Sequence, residues 1–462
     1  MIYIDKTGSK PIYEQLYDKL VEGVLSGAFP AESFLPSTRK LADELAVSRN
    51  TVNRAYQQLV DEGYIKPHAG SGYRVNDIQH SEMISAGVHR FRPIPVKDPV
   101  RYDFDYGNID NSTFPYREWR KSVNCVLDKA AAAQSIMYPD FRGEAALREE
   151  IARYLYRSRG VKCDPGQVII TCGHQHSVEI IAGIFESGSK QCAMEDPGYD
   201  GIRAVFTNHR YEMSYIDVEN DGIDVSRIME RRVDLLYVTP SHQFPTGAVL
   251  SISKRFQLLD WAFRNDVYII EDDYDSELRY NTAPVPAMQS LDRNDRVIYT
   301  GTFSKALSPA VRVAYIVFPY SILKKFDRRY RLYGSQVSPM HQLALADFMK
   351  TGGFERNINR LRTVYRQKQN ALKHALEKTF GEKIRVSGDG AGLHLLVDID
   401  TDIPPEILIE EAETMEVKLY PVKPYYANRE KMPRCQLQLG FPTIDINEFE
   451  KILGKLKKKW GI

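Results

Sequence analysis

RVIYTGTFSKALSPAVRVAY, residues 296–315, joins an apolar run to a polar segment built around one lysine. Val297, Ile298 and Tyr299 have strand character. After them come glycine, hydroxyl residues, Lys305 and, seven positions on, Arg312. A lysine after a strand is usually a solvated cation. It gains another meaning inside a parallel sheet, where ligands sit at the carboxyl ends of the strands. The surrounding sequence supplies such a sheet. QVIITCG (167–173), DLLYVTP (234–240) and VYIIEDD (267–273) are further apolar runs that end in polar residues or glycine. Helical stretches separate them, among them ALREEIARYLYRSRG (146–160) and SKRFQLLDWAFRN (253–265). This alternation predicts an α/β body over residues 101–462, with a parallel sheet covered on both faces.

An aldehyde cofactor held by a protein needs a lysine for a Schiff base and a carboxylate for its ring nitrogen. Its ring oxygen needs a donor, and its phosphate needs hydroxyls, an arginine and a helix N-terminus. All of these stand at strand ends here. Lys305 follows RVIYTG, and Asp272 and Tyr274 follow VYII. Gly173, His174 and Gln175 lie where QVIITC meets the helix SVEIIAGIF, and Thr302, Ser304 and Arg312 surround the lysine. Each feature alone is weak. Glu271, Asp272 and Asp273 together would suit a metal, but no histidine stands at ligand spacing beside them, and no metal site is expected.

The N-terminal residues 1–76 follow a different pattern. PIYEQLYDKLVEGVLSG (11–27) has apolar residues at helical spacing, with Pro11 at its first turn and Gly27 as a stop. FLPSTRKLADELAV (34–47) gives a second helix with Ser37 as N-cap, and SRNTVNRAYQQLVDEGY (48–64) a third. YIKPHAGSGYRV (64–75) reads as two short strands around a Gly-Ser-Gly tip. The second and third helices fit helix-turn-helix geometry, in which the later helix enters the major groove of double-stranded DNA. Ser48, Arg49, Asn50, Thr51 and Asn53 then face base edges. Ser37, Thr38, Arg39 and Lys40 suit phosphate contacts, and the wing at Gly72 reaches the minor groove. The plainer alternative is a three-helix domain with solvated charges, since Asp43, Glu44, Asp61 and Glu62 keep the unit from being strongly basic.

Bulk composition agrees with two or three domains. The chain has 462 residues, 43% of them hydrophobic and 27% charged, and a formal net charge of +1. Any nucleic-acid footprint must therefore be local. Cys125, Cys163, Cys172, Cys192 and Cys435 are odd in number and form no C-x-x-C pair, so reduced thiols in a cytoplasmic protein are expected. The first residues hold no apolar signal core, no run approaches the ~20 apolar residues of a membrane span, and no membrane association is expected. Residues 77–100, with Pro93, Pro95 and Pro99, read as a linker. The basic end KILGKLKKKW (451–460) reads as a solvated helix face.

LPSTRKLADELAVSRNTVNRAYQQLVDEGYI (35–65) with GSGYRV (70–75) resembles the winged helix-turn-helix of GntR-type bacterial regulators. Residues 101–462 resemble fold-type I, class I aminotransferases, which depend on pyridoxal 5'-phosphate (PLP). The motifs in order are YPDFRGEAALREEIARYL (138–155), MEDPGY (194–199), TPSHQFPTG (239–247), EDDYDSELRY (271–280) and GTFSKALSPAVRVAY (301–315). That resemblance implies Lys305 as the lysine of the internal aldimine, Asp272 as the pyridinium partner and Tyr274 as donor to the ring oxygen. It implies Tyr199 as the stacking aromatic, Arg312 with Thr302 and Ser304 at the phosphate, and Tyr138 at the phosphate of a neighbouring subunit. Together the two halves resemble the MocR/GabR subfamily of transcriptional regulators.

The resemblance implies a PLP-dependent DNA-binding regulator that senses PLP or an amino compound through an aldimine at Lys305. Its expected partners are a double-stranded DNA operator, a small amine or amino-acid effector and a second copy in a head-to-tail homodimer. Two departures from the aminotransferase pattern matter. Phe244 replaces the asparagine of N-P-T-G, with His242 or Gln243 as candidates to take over its role. Gln438 in LQLGF stands where an arginine would bind an α-carboxylate, and Arg203 and Arg434 are the candidates to compensate. Efficient transamination of α-amino acids, and a physiological role as an enzyme, are therefore not expected, although weak half-reactions are compatible with the site. Two rival readings remain: a working aminotransferase with a DNA anchor, and a regulator whose body is a scaffold without cofactor.

Overall fold

Apolar residues at helical spacing build the N-terminal unit. In α1 (Ile12–Leu25), Leu16, Leu20 and Val24 share one buried face. Ser37 opens α2 (Thr38–Leu45), its side-chain oxygen accepting the Lys40 N–H at 3.2 Å. Ser48 opens α3 (Arg49–Asp61) in the same way through the Thr51 N–H at 3.1 Å. Between these helices the chain turns at Ala46, in the left-handed region at φ 48°. Helix α3 buries Val52, Ala55, Tyr56 and Leu59 in one core with α1 and α2. The Tyr56 hydroxyl donates to the Pro36 carbonyl at 2.8 Å, tying α3 to the start of α2. Strands β1 (Ile65–His68) and β2 (Gly72–Val75) pair antiparallel, with Ile65 opposite Val75. The result is the expected winged helix-turn-helix.

This computed structural model describes residues 3–5, 10–70, 72–78, 100–133, 140–185, 190–280 and 285–462. The chain divides into two compact units, Met1–Lys97 and Asp98–Ile462. Residues 79–99 of the expected linker lie outside the described residues, and so does Tyr138.

The second unit begins with β3 (Tyr102–Asp103). Its main sheet holds β4 (Val168–Thr171), β5 (Gln191–Asp196), β6 (Glu212–Glu219), β7 (Gly222–Ile223), β8 (Leu235–Val238), β9 (Tyr268–Asp273), β10 (Val297–Thr302) and β11 (Ala314–Val317). Their order across the sheet is β4-β11-β10-β9-β8-β5-β6-β7. From β6 through β5, β8 and β9 to β10 all neighbours are parallel. Strand β11 runs antiparallel to both β10 and β4, which departs from the parallel sheet expected. The reason is local. A parallel return needs a crossover of about a dozen residues or more, usually a helix. Residues 303–313 contain only the short 3-10 turn Pro309–Val311, so the chain comes straight back. The loop bearing Lys305 and Arg312 is thus a hairpin connection.

Successive strand residues feed opposite layers. Ile170 packs with Leu147, Ile151 and Leu345 on one face, while Ile169, Ile270 and Ile298 pack with Val178, Ile202 and Phe206 on the other. A second, antiparallel sheet was not foreseen: Ile384–Ser387, His394–Ile399, Gln436–Gly440 and Tyr420–Pro421. Helices Gly353–Phe380 and Phe449–Trp460 cover it. The latter buries Ile452, Leu453, Leu456 and Trp460 and leaves Lys458 and Lys459 exposed. All five cysteines are free thiols. Among the described residues no helix is long and apolar enough to cross a membrane.

Candidate functional site

Two surfaces carry the residues singled out from the sequence. On the N-terminal unit, Arg49, Asn50 and Asn53 project from the first turns of α3 and are exposed. Their side chains make no hydrogen bond among the described residues. Ser37 and Ser48 spend their acceptor oxygens on helix caps, and Ser48 also meets the Thr51 hydroxyl at 2.9 Å. Arg39 and Lys40 are exposed on α2, where Lys40 lies 3.8 Å from Glu44. Thr38 is half-buried in the same turn. Gly72 is exposed with φ +101°, a backbone state that a side chain would strain at the wing.

In the large unit, the carboxyl ends of β4, β9 and β10 meet at a cavity of about 220 Å³. His174, Gln175, Tyr199, Asp272, Tyr274, Thr302, Ser304, Lys305 and Arg312 all line it. Lys305 Nζ donates to the Tyr106 carbonyl at 2.8 Å and the Gly107 carbonyl at 3.3 Å. Burial lowers its pKa to about 8, against the opposing pull of Asp105 and Asp275. The amine is therefore poised to lose its proton near neutrality.

Asp272 is only 4% exposed. Its Oδ2 accepts from the Tyr237 hydroxyl and lies 3.2 Å from His174 Nε2. Its Oδ1 is buried with no hydrogen-bond partner. Glu271 and Asp273, its neighbours on β9, point to the opposite face. Glu271 accepts the Met288 and Gln289 N–H groups at 2.7 and 2.8 Å, and Asp273 pairs with buried Arg159 at 2.7 Å. The strand pleat thus splits the three carboxylates between two faces of the sheet.

At the far end, Gly173 adopts φ +87° before the helix His174–Ile184. A Cβ there would run into the Arg312 guanidinium, so glycine permits that close approach. Arg312 donates to the Cys172 carbonyl at 3.3 Å. Thr302 donates to the Ser304 hydroxyl at 3.0 Å. One arginine, two hydroxyls and a helix N-terminus meet at this end, the kinds of group that can hold an anion. The Tyr274 hydroxyl meets His242 Nδ1 at 3.1 Å, and that nitrogen lies 2.8 Å from Asp275.

The substitutes named from the sequence lie outside the cavity lining. Neither His242 nor Gln243 lines the cavity, whereas Phe244 does. The Gln243 amide instead donates to the Pro197 and Phe244 carbonyls at 2.8 and 2.6 Å, which organises the turn. Arg203 donates to the Pro424 and Tyr425 carbonyls at 3.0 and 2.9 Å. Arg434 sits at the surface, 2.6 Å from Asp402. Neither arginine lines the cavity. Tyr106 and Gly107 were missed. The backbone of Asp105 and Tyr106 crosses Gly440, where any Cβ would collide with it, and the Gly440 N–H donates to the Phe104 carbonyl at 2.8 Å. The only sequence signal for this was a Tyr-Gly pair soon after a short strand.

Comparison with known proteins gives the same two parts. The family "Bacterial regulatory proteins, gntR family" matches residues 12–75, and "Aminotransferase class I and II" matches residues 103–433. The HTH-type transcriptional regulator YdeL of Bacillus subtilis is 40% identical over 100% of this chain and 99% of its own. The probable rhizopine catabolism regulatory protein MocR of Rhizobium meliloti is 32% identical over 99% of this chain and 95% of its own. Among solved structures, the α-aminoadipate aminotransferase LysN of Thermus thermophilus, complexed with N-(5'-phosphopyridoxyl)-L-leucine, covers 78% of this chain and 92% of its own. Its identity is 26% and its TM-score 0.68.

Proposed function

Because the chain belongs to the MocR-type transcriptional regulators, in which a GntR-type winged helix is joined to a class I and II aminotransferase domain, we propose that its DNA binding is controlled by what the Lys305 cavity holds. The ligands of this reading are PLP, attached at Lys305, and a small amine. When bound, PLP supplies an aldehyde that combines with primary amines and a ring that withdraws electrons from them.

The observation that carries this reading is the buried, unpartnered Oδ1 of Asp272 in the cavity that Lys305 also lines. A buried carboxylate oxygen without a donor is costly, and a protonated ring nitrogen is the kind of partner that would satisfy it. His174 and Tyr237 hold the other oxygen, so Oδ1 keeps its aim. Tyr274 would donate to a ring oxygen and Tyr199 would lie against the ring. Arg312, Thr302, Ser304 and the backbone at Gly173, His174 and Gln175 would hold a phosphate. Lys305 enters as a neutral amine more readily than an exposed lysine, because burial disfavours its charge.

On the DNA side, Arg49, Asn50 and Asn53 would read bases while Arg39, Lys40 and the wing at Gly72 hold the backbone. Control requires that the loaded and unloaded proteins bind DNA with different affinity. The working form in this reading is a head-to-tail homodimer, to which Tyr138 contributes. The test is spectroscopic. Added PLP should produce a visible absorbance band that Lys305→Ala abolishes and Asp272→Ala shifts or weakens. A protein that acquires no Lys305-dependent band would leave the large unit as a scaffold, and many turnovers with an amino donor and an oxo acid would make it an enzyme.

A further inference from the structure

The cavity has two chemically different ends. Arg312 and the hydroxyls of Thr302 and Ser304 occupy one. The other is walled by Tyr106, Gly107, Tyr199 and Phe244. Ring centroids of Tyr106 and Phe244 lie 5.0 Å apart, and Phe244 meets Tyr425 at 4.8 Å. Two carboxylates stand near this aromatic end, though neither lines the cavity. Asp105 accepts the N–H of cavity-lining Gly107 at 2.8 Å. Asp200 follows Tyr199 directly and is half-buried, its carboxylate accepting the Gly201 N–H at 3.0 Å. Their field reaches the aromatic wall: burial raises the Tyr425 hydroxyl pKa most, and Asp200 and Asp105 raise it further.

Of the cations, Lys305 answers Asp105, which favours its charged form. Among the described residues, the lysines and arginines lining the cavity are Lys305 and Arg312 alone. Behind Phe244 and Tyr425 lies Gln438, 1% exposed. Its Oε1 accepts the Tyr425 hydroxyl at 2.8 Å, and its Nε2 is buried without a partner. This residue is polar but neutral, and Arg203, outside the lining, gives its Nη2 to two backbone carbonyls while its Nε is buried without a partner.

We propose that the amine accepted by this site carries no carboxylate, and that a small diamine, whose second ammonium faces Asp105, Asp200 and the aromatic wall, matches it best. The proposal rests on the reading of the cavity as a PLP site at Lys305. A ligand carboxylate at the aromatic end would sit in the field of two nearby carboxylates, with no lysine or arginine in the lining besides Lys305 and Arg312 to pair with it, which disfavours its ionised form. An ammonium there gains both carboxylates and the ring faces. Lys305 Nζ already shows this preference, at 4.4 Å from the Tyr106 ring centroid. Gln438 is then a specificity determinant, since it keeps the wall neutral where an arginine would reward a carboxylate.

The test uses the full-length, PLP-loaded protein. Putrescine, n-butylamine, γ-aminobutyrate and L-alanine are titrated in turn, with binding read by the change in visible absorbance and by calorimetry. Putrescine should bind at least about tenfold more tightly than either amino acid, with n-butylamine no weaker than γ-aminobutyrate. Gln438→Arg should narrow or reverse that order. Asp200→Asn, a milder change at a half-buried position, should weaken putrescine selectively. Amino acids binding as tightly as putrescine to loaded wild-type protein would overturn this inference alone. Absence of a Lys305-dependent band before any amine is added would overturn the cofactor reading and this inference with it.

Discussion

The recognition face of α3 and the cavity at Lys305 solve the same problem, holding polar groups ready for a ligand, in opposite ways. On α3, Arg49, Asn50 and Asn53 come from the first turns of one helix, are exposed, and make no side-chain hydrogen bond among the described residues. In the cavity, Asp272, Tyr274, Lys305 and Arg312 come from separated segments, and other side chains fix several of them. An exposed group costs little to keep and can be exchanged without harm to the fold. A buried group must be satisfied, so its neighbours are as constrained as the group itself. Substitutions should therefore act locally and additively on α3, but spread through the neighbours of the cavity.

Four measurements sharpen or break that contrast. Lys305→Ala has the largest expected effect, since among the described residues Lys305 is the one lysine lining the cavity. The visible band should vanish while the melting profile of the N-terminal unit stays unchanged. Next is Arg159→Ala, which leaves buried Asp273 without its ion-pair partner and with the Tyr299 hydroxyl as a remaining donor. A loss of about 3–5 kcal/mol in the stability of the large unit is expected by denaturant titration. A loss under about 1 kcal/mol would mean that the neighbours of the cavity are less coupled than argued. Third, Arg49→Ala or Asn50→Ala should weaken operator binding by roughly 1–3 kcal/mol in a mobility-shift assay, with cofactor loading unchanged. Smallest is Ser48→Ala, which removes the α3 cap and should cost about 1 kcal/mol of stability in the N-terminal unit.

The pH dependence of loading probes the cavity separately. Only the neutral amine attacks an aldehyde, and burial places the Lys305 pKa at about 8. At pH 7 roughly a tenth of such lysines are neutral, against far less than about a hundredth for an ordinary lysine near 10.4. The loading rate should rise with pH up to about 8 and level off above it. A rate still climbing tenfold per unit near pH 10 would show that Lys305 is solvated.

How legible all this was in the sequence follows from where each constraint lies. Ser37 and Ser48 were legible as helix starts because a cap is a local event, complete within four residues. Asp272 and Lys305 were legible because strand ends in such a sheet converge on one edge, whatever the details of packing. Tyr106 was not, because it reaches Lys305 only through β3, the parallel pairing of β3 with Val417–Lys418, and the bare backbone at Gly440. The reversal of β11 was hidden in the shortness of residues 303–313. The second sheet was missed because strands such as Ile384–Ser387 and Tyr420–Pro421 are too short to show a clear period. Phe244 was seen as a departure, but only the fold shows that it lines the cavity while Gln243 turns back into the chain.

In this reading, DNA binding responds to what Lys305 holds. Its most direct test is a footprint of the purified protein on the DNA upstream of its own gene, with and without PLP, and with Lys305→Ala alongside. The account predicts a footprint whose extent or affinity changes with PLP in the wild type and does not change in Lys305→Ala. A wild-type footprint that is the same with and without PLP would contradict it.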